Sequence, residues 1–212
     1  VLIFVGDADQ LPPVGAGNML ADILSCGAVK SVCLTEIFRQ AAQSLIITNA
    51  HKINNGEQLV LNSTDGDFFF VKREREADIA DTIATLISER LPRTYGAAIK
   101  DNIQVITPSK KGPGGVETLN GALQARLNPP AKLKREKSSH GTVFREGDRV
   151  MQVVNNYEIE WERFGAVGIG LFNGDIGVIE KIDLSDEVMS IRFDDKLAEY
   201  SFDLLDELDL AY

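Results

Sequence analysis

The stretch Val1-Leu-Ile-Phe-Val-Gly-Asp-Ala-Asp-Gln-Leu-Pro-Pro-Val-Gly-Ala-Gly-Asn18 decides how the chain is read. Val1 to Val5 is a continuous apolar run, the pattern of a strand buried on both faces of a parallel sheet. Gly6 and Asp7 end it. Asp9 and Gln10 then fall where the backbone leaves the carboxyl edge of such a sheet, the place where open α/β folds hold ligands. Pro12 and Pro13 stiffen the loop, since each fixes φ and removes a donor. Gly15 and Gly17 let the loop turn into a helix expected from Met19 to Ser25. On spacing alone, a strand followed by a rigid loop without a ligand fits equally well.

Further elements follow in alternation. Val29 to Leu34 reads as a short strand. Ala41 to Asn55 reads as a helix with Leu45, Ile46, Ala50 and Ile53 on one face, stopped at Asn54-Asn55-Gly56. His51 has no carboxylate or serine partner at a useful spacing and reads as a surface or packing residue. Phe68 to Val71 is a strand whose three aromatics could stack bases, although a contiguous run ahead of a helix is more often core. Glu74 to Leu91 is a helix with Ile79, Ile83, Leu86 and Ile87 as its apolar stripe, ended by Pro92. Ile103 to Thr107 is a buried strand. After it come Pro108-Ser-Lys-Lys-Gly-Pro-Gly-Gly115 and a helix bearing Val116, Leu119, Leu123 and Leu127.

That strand-loop-helix order, with hydroxyls, lysines and glycines in the loop, suits a phosphate contact: backbone N–H groups at a helix N-terminus face anions. The spacing is not that of a Walker A loop. The competing reading is a solvated lysine pair. Asn128 to Gly141 is polar and basic and reads as a mobile loop. Gly147 to Val154 is a strand, and 155–168, with Trp161, is a long hairpin tip or an ordering loop. From Leu171 the pattern turns all-β. Asn173-Gly174 signals a tight turn. Short strands are expected over 177–182, 188–193 and 198–202, with Asp194-Asp195 between two of them.

The 212 residues suffice for one large or two small domains with a real core. The net charge of -10 argues against a protein that simply coats nucleic acid. The charge is uneven. Residues 104–154 carry 9 Lys/Arg against 4 Asp/Glu, net +5, and residues 155–212 carry 4 against 15, net -11. The basic middle is the only electrostatic footprint for phosphate, and the acidic tail reads as a solvated face. Cys26 and Cys33 lie seven apart with no CxxC and no histidine beside them. They read as a reduced pair rather than a metal site, which points to the cytoplasm. No signal peptide is apparent and no apolar run is long enough to cross a membrane. The chain opens on Val1, inside a strand, so it reads as an internal piece of a longer protein.

Gly6 to Asn18 resembles the third motif of superfamily 1 DNA helicases of the RecD-like group, which includes the alpha subunit of exodeoxyribonuclease V. More matches follow in order. Thr35-Glu-Ile-Phe-Arg-Gln40 resembles the fourth motif. Asn49-Ala-His-Lys-Ile-Asn-Asn-Gly-Glu57 resembles a recurrent phrase of the group. Thr107, Lys110, Lys111, Gly112 and Asn120 match its second-domain loop, and Phe172 to Ile179 matches its small barrel.

The resemblance implies an α/β fold with two RecA-like domains of the P-loop NTPase type. Residues 1–36 would end the first, and 37–170 would form the second around a parallel sheet. An inserted Src-homology-like β-barrel would span 171–203, and 204–212 would return to the second domain.

The resemblance also implies ATP and Mg²⁺ as cofactors and single-stranded DNA as partner, with other exodeoxyribonuclease V subunits as candidates and no membrane. Gln10 would reach the γ-phosphate or the attacking water, beside Gly6 and Asp7. Arg39 would cross the cleft to the same phosphate, where a guanidinium forks onto oxygens and stays charged. The bland alternative pairs Arg39 with Glu36, three residues back. Pro12, Pro13, Thr107, Ser109, Lys110, Lys111 and Asn120 would lie along the DNA. No residue is expected to hold a metal. The 212 residues contain no Walker A lysine and no Walker B pair, so this piece alone is expected to be inactive. A relaxase-linked conjugation helicase shares these motifs. A non-catalytic DNA-binding or partner-docking module is the reading from a different class.

Overall fold

The computed structural model describes residues 2–11, 15–34, 43–61, 63 and 65–212. The chain divides into two compact units, Val1–Lys72 and Arg73–Tyr212.

In the first unit, helix α1 spans Met19–Cys26 and helix α2 spans Leu45–Asn54. Gly27 follows α1 in the left-handed conformation at φ 64°, the usual helix stop. Helix α2 starts later than the apolar periodicity suggests because Ser44 caps it. The Ser44 hydroxyl accepts from the Ile47 N–H at 3.3 Å. Asn49, 1% exposed, ties the helix to the following segment, donating to the Val60 carbonyl at 3.1 Å and accepting from the Val60 N–H at 2.9 Å.

The expected strands of this unit are not part of any sheet among the described residues. Leu2, Ile3 and Val5 are 79%, 78% and 94% exposed. Val32, Leu34, Phe69 and Phe70 are exposed too. A strand exists only against a hydrogen-bonded neighbour. Among the described residues no segment pairs with 2–5, 29–34 or 68–71, and every pairing present is antiparallel. The parallel sheet read from these runs is therefore not formed by the described residues.

The second unit has a helical part and a β part. Helix α3 (Ala77–Thr85) runs through a π turn (Leu86–Arg90) into α4 (Leu91–Tyr95). Pro92 does not end this rod, contrary to expectation. The wider π turn just before it takes up the residue that cannot donate, and the rod closes only at Gly96. A 3-10 turn over Ala97–Asn102 leads to Ile103–Thr107. There burial alternates as a strand would, but no ladder forms. The Ile103 carbonyl instead accepts from Arg149 Nη1 at 2.8 Å. Helix α5 spans Val116–Leu127, and Ala84, Ile87, Leu123 and Tyr212 form the core between the helices.

Residues 136–145 form a hairpin, not the mobile loop expected. Strand β1 (Glu136–Ser139) pairs with β2 (Thr142–Arg145). His140 and Gly141 turn it with φ 48° and 86°, the left-handed pair that a two-residue hairpin loop requires. Composition alone missed it because no apolar alternation marks the strands.

Strands β3 (Arg149–Gln152), β4 (Asn156–Arg163), β5 (Ala166–Leu171), β6 (Ile176–Asp183), β7 (Val188–Phe193), β8 (Lys196–Ser201) and β9 (Leu208–Leu210) form one sheet, ordered β5-β4-β8-β7-β6-β3-β9. The sheet thus extends on both sides of 171–203. The Trp161 segment is a hairpin whose register shifts between Asn156 and Glu160 and whose turn, Phe164-Gly165, has φ 49° and 79°. The end of the chain pairs as β9 with β3. The core is the inward set Val150, Ile159, Leu171, Ile179, Ile182, Met189, Ile191, Phe193, Ala198 and Tyr200. A bulge in β6 places Glu180 and Lys181 outward together, so that Ile179 and Ile182 can both point in.

Candidate functional site

Asp7 folds the first candidate segment into a local turn. Its Oδ1 accepts from the Asp9 N–H at 3.0 Å and its Oδ2 from Gln10 Nε2 at 3.1 Å. At Gly6 a Cβ would lie 2.8 Å from Leu20 Cδ2, the movable end of that side chain. Gln10 is exposed, its amide nitrogen turned back onto a carboxylate. Pro12, Pro13 and Arg39 lie outside the described residues.

The same unit holds a helix-terminal anion that is the protein's own. Asp67 accepts from the N–H groups of Leu45 and Ile46 at 2.8 and 3.2 Å and from the Ser44 hydroxyl at 2.5 Å. The Ser44 hydrogen bond first, then the two amides, hold its carboxyl below the usual carboxylate range. No sequence signal announced this, because 22 residues separate Asp67 from Leu45.

The second candidate segment is the loop before α5. Thr107 Oγ1 donates to the Gly114 carbonyl at 2.7 Å and closes it. The first N–H groups of α5 are not open to an anion. Val116 donates to the Ser109 carbonyl at 3.0 Å and Glu117 to the Lys110 carbonyl at 3.2 Å. Gly115 allows this close return, since a Cβ there would sit 2.6 Å from the Lys111 carbonyl. The N-terminus of α5 is therefore satisfied by the loop's own carbonyls, and side-chain charge is what remains for a phosphate.

That charge is less available than a residue count suggests. Of the nine cations in 104–154, Lys110 lies 3.4 Å from Asp209, and Arg126 pairs with Asp81 and Glu89. Arg135 lies near Asp183, and Arg145 pairs with Glu136 at 2.6 Å. Arg149 serves a carbonyl, Lys134 the Asn128 side chain, and Lys137 the Phe202 ring. Lys111 and Lys132 alone lack a side-chain partner among the described residues. Asn120 faces inward at 8% exposure. It donates to the Leu210 carbonyl at 2.5 Å and accepts from the Tyr212 N–H at 3.0 Å. Its amide thus anchors the chain's end beneath the loop.

Lys110, Glu117, Asn120, His140, Asp206 and Asp209 line a cleft of about 670 Å³ between this loop, the β1–β2 turn and the approach to β9. With three carboxylates to one lysine, the cleft itself repels phosphate, and Lys111 stands outside it.

Beneath the loop lies a polar centre that composition did not reveal. Asp148, fully buried, accepts from Gln124 at 2.6 Å, Asn128 at 2.6 Å, the Arg145 N–H at 2.7 Å and the Tyr212 hydroxyl at 2.6 Å. Four donors satisfy a buried carboxylate. Burial first, then this carboxylate, push the Tyr212 hydroxyl far above its ordinary pKa. A second centre joins Gln152, Tyr200 and Glu207, and burial raises Tyr200 likewise. Both fix the sheet and α5 around the loop and offer no reactive group.

Residues 1–67 match the AAA domain family, and residues 119–193 match the family described as the ATP-dependent RecD-like DNA helicase SH3 domain. The second match takes in α5 from Leu119 on, the hairpin and the sheet through β7, which defines the β part as an SH3-type domain. The chain is 33% identical over 211 residues, 100% of its length, to the ATP-dependent RecD2 DNA helicase of Deinococcus radiodurans, of which it spans 26%. It is 27% identical over 220 residues, 83% of the chain, to an uncharacterized protein of Methanocaldococcus jannaschii, of which it spans 19%. The chain is thus similar along its whole length to a RecD-like DNA helicase and carries that group's SH3-type domain.

Proposed function

We infer that the chain works as part of an ATP-dependent DNA helicase that moves along single-stranded DNA and unwinds duplex. The identity to the Deinococcus helicase over the whole of this chain supports this reading best, because it carries both matched regions in one order. In this reading 1–36 ends the first RecA-like domain, and the part up to the SH3-type domain belongs to the second, with its parallel sheet. Gly6, Asp7, Gln10 and Arg39 serve the ATP phosphates with Mg²⁺. Phosphoryl transfer needs positioning and charge stabilisation more than covalent chemistry, which suits an amide and a guanidinium. Pro12 and Pro13 couple that site to DNA. Thr107, Ser109, Lys110 and Lys111 lie along the DNA backbone, and Asn120 supports them from below.

The setting that fits is cytoplasmic DNA recombination or repair, with exodeoxyribonuclease V subunits as possible company. Among the described residues no helix is long and apolar enough to cross a membrane. The test is strand displacement by the complete protein on a duplex with a single-stranded tail. ATP-dependent release of the strand, lost in Arg39→Ala, is the expected result. Release that needs no ATP, or that survives the substitution, refutes the assignment.

A further inference from the structure

Strand β5 is one end of the sheet, β9 being the other, and it is undefended. Edge strands of soluble proteins are usually blunted by lysine, proline or a covering segment. Ala166-Val-Gly-Ile-Gly-Leu171 has neither a charge nor a proline. Leu171 and Gly170 turn inward, but Val167 and Ile169 stand out at 71% and 67% exposure, next to Phe164 at 89%. Gly168 lies flat on the other face, where a Cβ would run into the Trp161 ring.

The neighbouring strand gives this edge a sign. Glu160 pairs with Ile169 and Glu162 with Val167, so both carboxylates share the outer face with the two apolar side chains. Glu158, and Glu199 on β8, are exposed as well. None of the four forms an ion pair among the described residues. The nearby cations are engaged: Arg163 with Asp195 at 2.7 Å, Arg192 with Glu180, and Lys196 over the Trp161 ring.

We propose that the β5 edge is a docking site for an extended protein segment that adds as one more strand and carries apolar and basic residues two apart, on the same face. Its backbone would continue the ladder. Its apolar side chains would cover Val167 and Ile169, and its lysines or arginines would reach across β5 to the glutamates. That row lies two strand spacings away, roughly 10 Å, within reach of a long basic side chain meeting a glutamate. The charge decides the occupant. DNA is repelled by four unpaired carboxylates, and a second copy of this chain would bring the same acidic row against the first.

The experiment uses the complete protein and a short fluorescein-labelled peptide of the repeat Val-Ser-Lys-Ser, which places valine and lysine on one face of a strand. Anisotropy should show binding that weakens at least tenfold in the Glu160→Gln, Glu162→Gln double variant. Binding should vanish when the peptide is N-methylated on the alternate set of residues whose N–H groups face β5, and persist when the other set is methylated. Amide hydrogen exchange should show new protection over 166–169. Each variant position is exposed, so folding is not at stake, and unchanged Trp161 emission checks it. Four outcomes overturn the proposal: no binding, equal binding to the double variant, protection elsewhere, or an edge already protected before the peptide is added. Protection of the edge by a single-stranded oligonucleotide overturns it too.

Discussion

The Tyr212 hydroxyl donates a 2.6 Å hydrogen bond to Oδ1 of Asp148, 64 residues earlier, inside the core. The carboxylate also receives α5 through Gln124 and Asn128, so one buried charge joins the chain's end, a helix and the start of β3. Tyr212→Phe removes one of four donors and should cost about 2 kcal/mol, the worth of a hydrogen bond to a charged group. Asp148→Ala orphans all four donors and should cost about 4 kcal/mol or more. Urea unfolding measures both. A smaller loss for Asp148→Ala than for Tyr212→Phe would show that the carboxylate is not the hub.

Asp67 makes a pH prediction for the first unit. Its carboxyl is held below the ordinary value of 3.8, chiefly by Ser44. A depressed folded pKa gives stability that is fully present above the unfolded value and lost as pH falls through the folded one. Asp67→Asn should therefore lower the melting temperature at neutral pH, and the gap to the parent should close as pH drops below 3.8. A gap that widens on acidification would mean the cap is made by the neutral acid. The charge is exposed, so the effect is small and shrinks with salt.

Gly168 tests the sheet. Trp161 is the only tryptophan, and its ring lies where a Cβ on Gly168 would go. The ring is further held by its Nε1–H, which donates to the Gly170 carbonyl at 3.1 Å. Gly168→Ala should displace the ring, shift the emission to longer wavelength and cost about 1–3 kcal/mol, the usual range for overpacking. Unchanged emission and stability would show that the ring is free to move aside.

These positions also show what a sequence reveals of such a fold. Helices α1, α2 and α5 are legible from apolar spacing, and β6 to β8 from alternation, because each buries one regular face. The hairpin at 136–145 is not legible, since its order comes from Arg145, Asn128 and Asp148 rather than from apolar burial. The apolar runs at 2–5 and 103–107 look like strands but find no partner strand among the described residues. Gln10 and the loop lysines stand out as motifs. Asp209, which answers Lys110, lies 99 residues from it, and no local pattern links the two.

Gln10 and Arg39 make the catalytic prediction, for the complete protein. Gln10→Ala and Arg39→Ala should each lower DNA-stimulated kcat for ATP hydrolysis by roughly 10²-fold or more, the loss expected for one transition-state contact. DNA affinity should survive, since neither residue is assigned to DNA. Steady-state ATPase with saturating oligonucleotide measures the first, anisotropy the second. Parent-like turnover in either variant removes that residue from the ATP site.

The loop lysines separate a charge count from a usable charge. Lys110 sits 3.4 Å from Asp209 and is 67% exposed, so the pair is weak and can open to a phosphate only by leaving a carboxylate behind. Lys111 has no such partner among the described residues. If this loop follows the DNA backbone, Lys111→Ala should flatten the plot of log K against log salt by about 0.7, the share of one phosphate contact on a single strand. Lys110→Ala should flatten it less, because part of its charge is already balanced. Asp209→Asn should strengthen binding modestly by freeing Lys110. Lys181→Ala with Lys196→Ala should leave the slope nearly unchanged, since Lys181 faces Asp183 at 2.8 Å and Lys196 covers Trp161. The measurement is an anisotropy salt titration on the complete protein. A slope unchanged by Lys111→Ala, or a larger change from the Lys181 and Lys196 pair, would move the DNA path from this loop to the SH3-type domain.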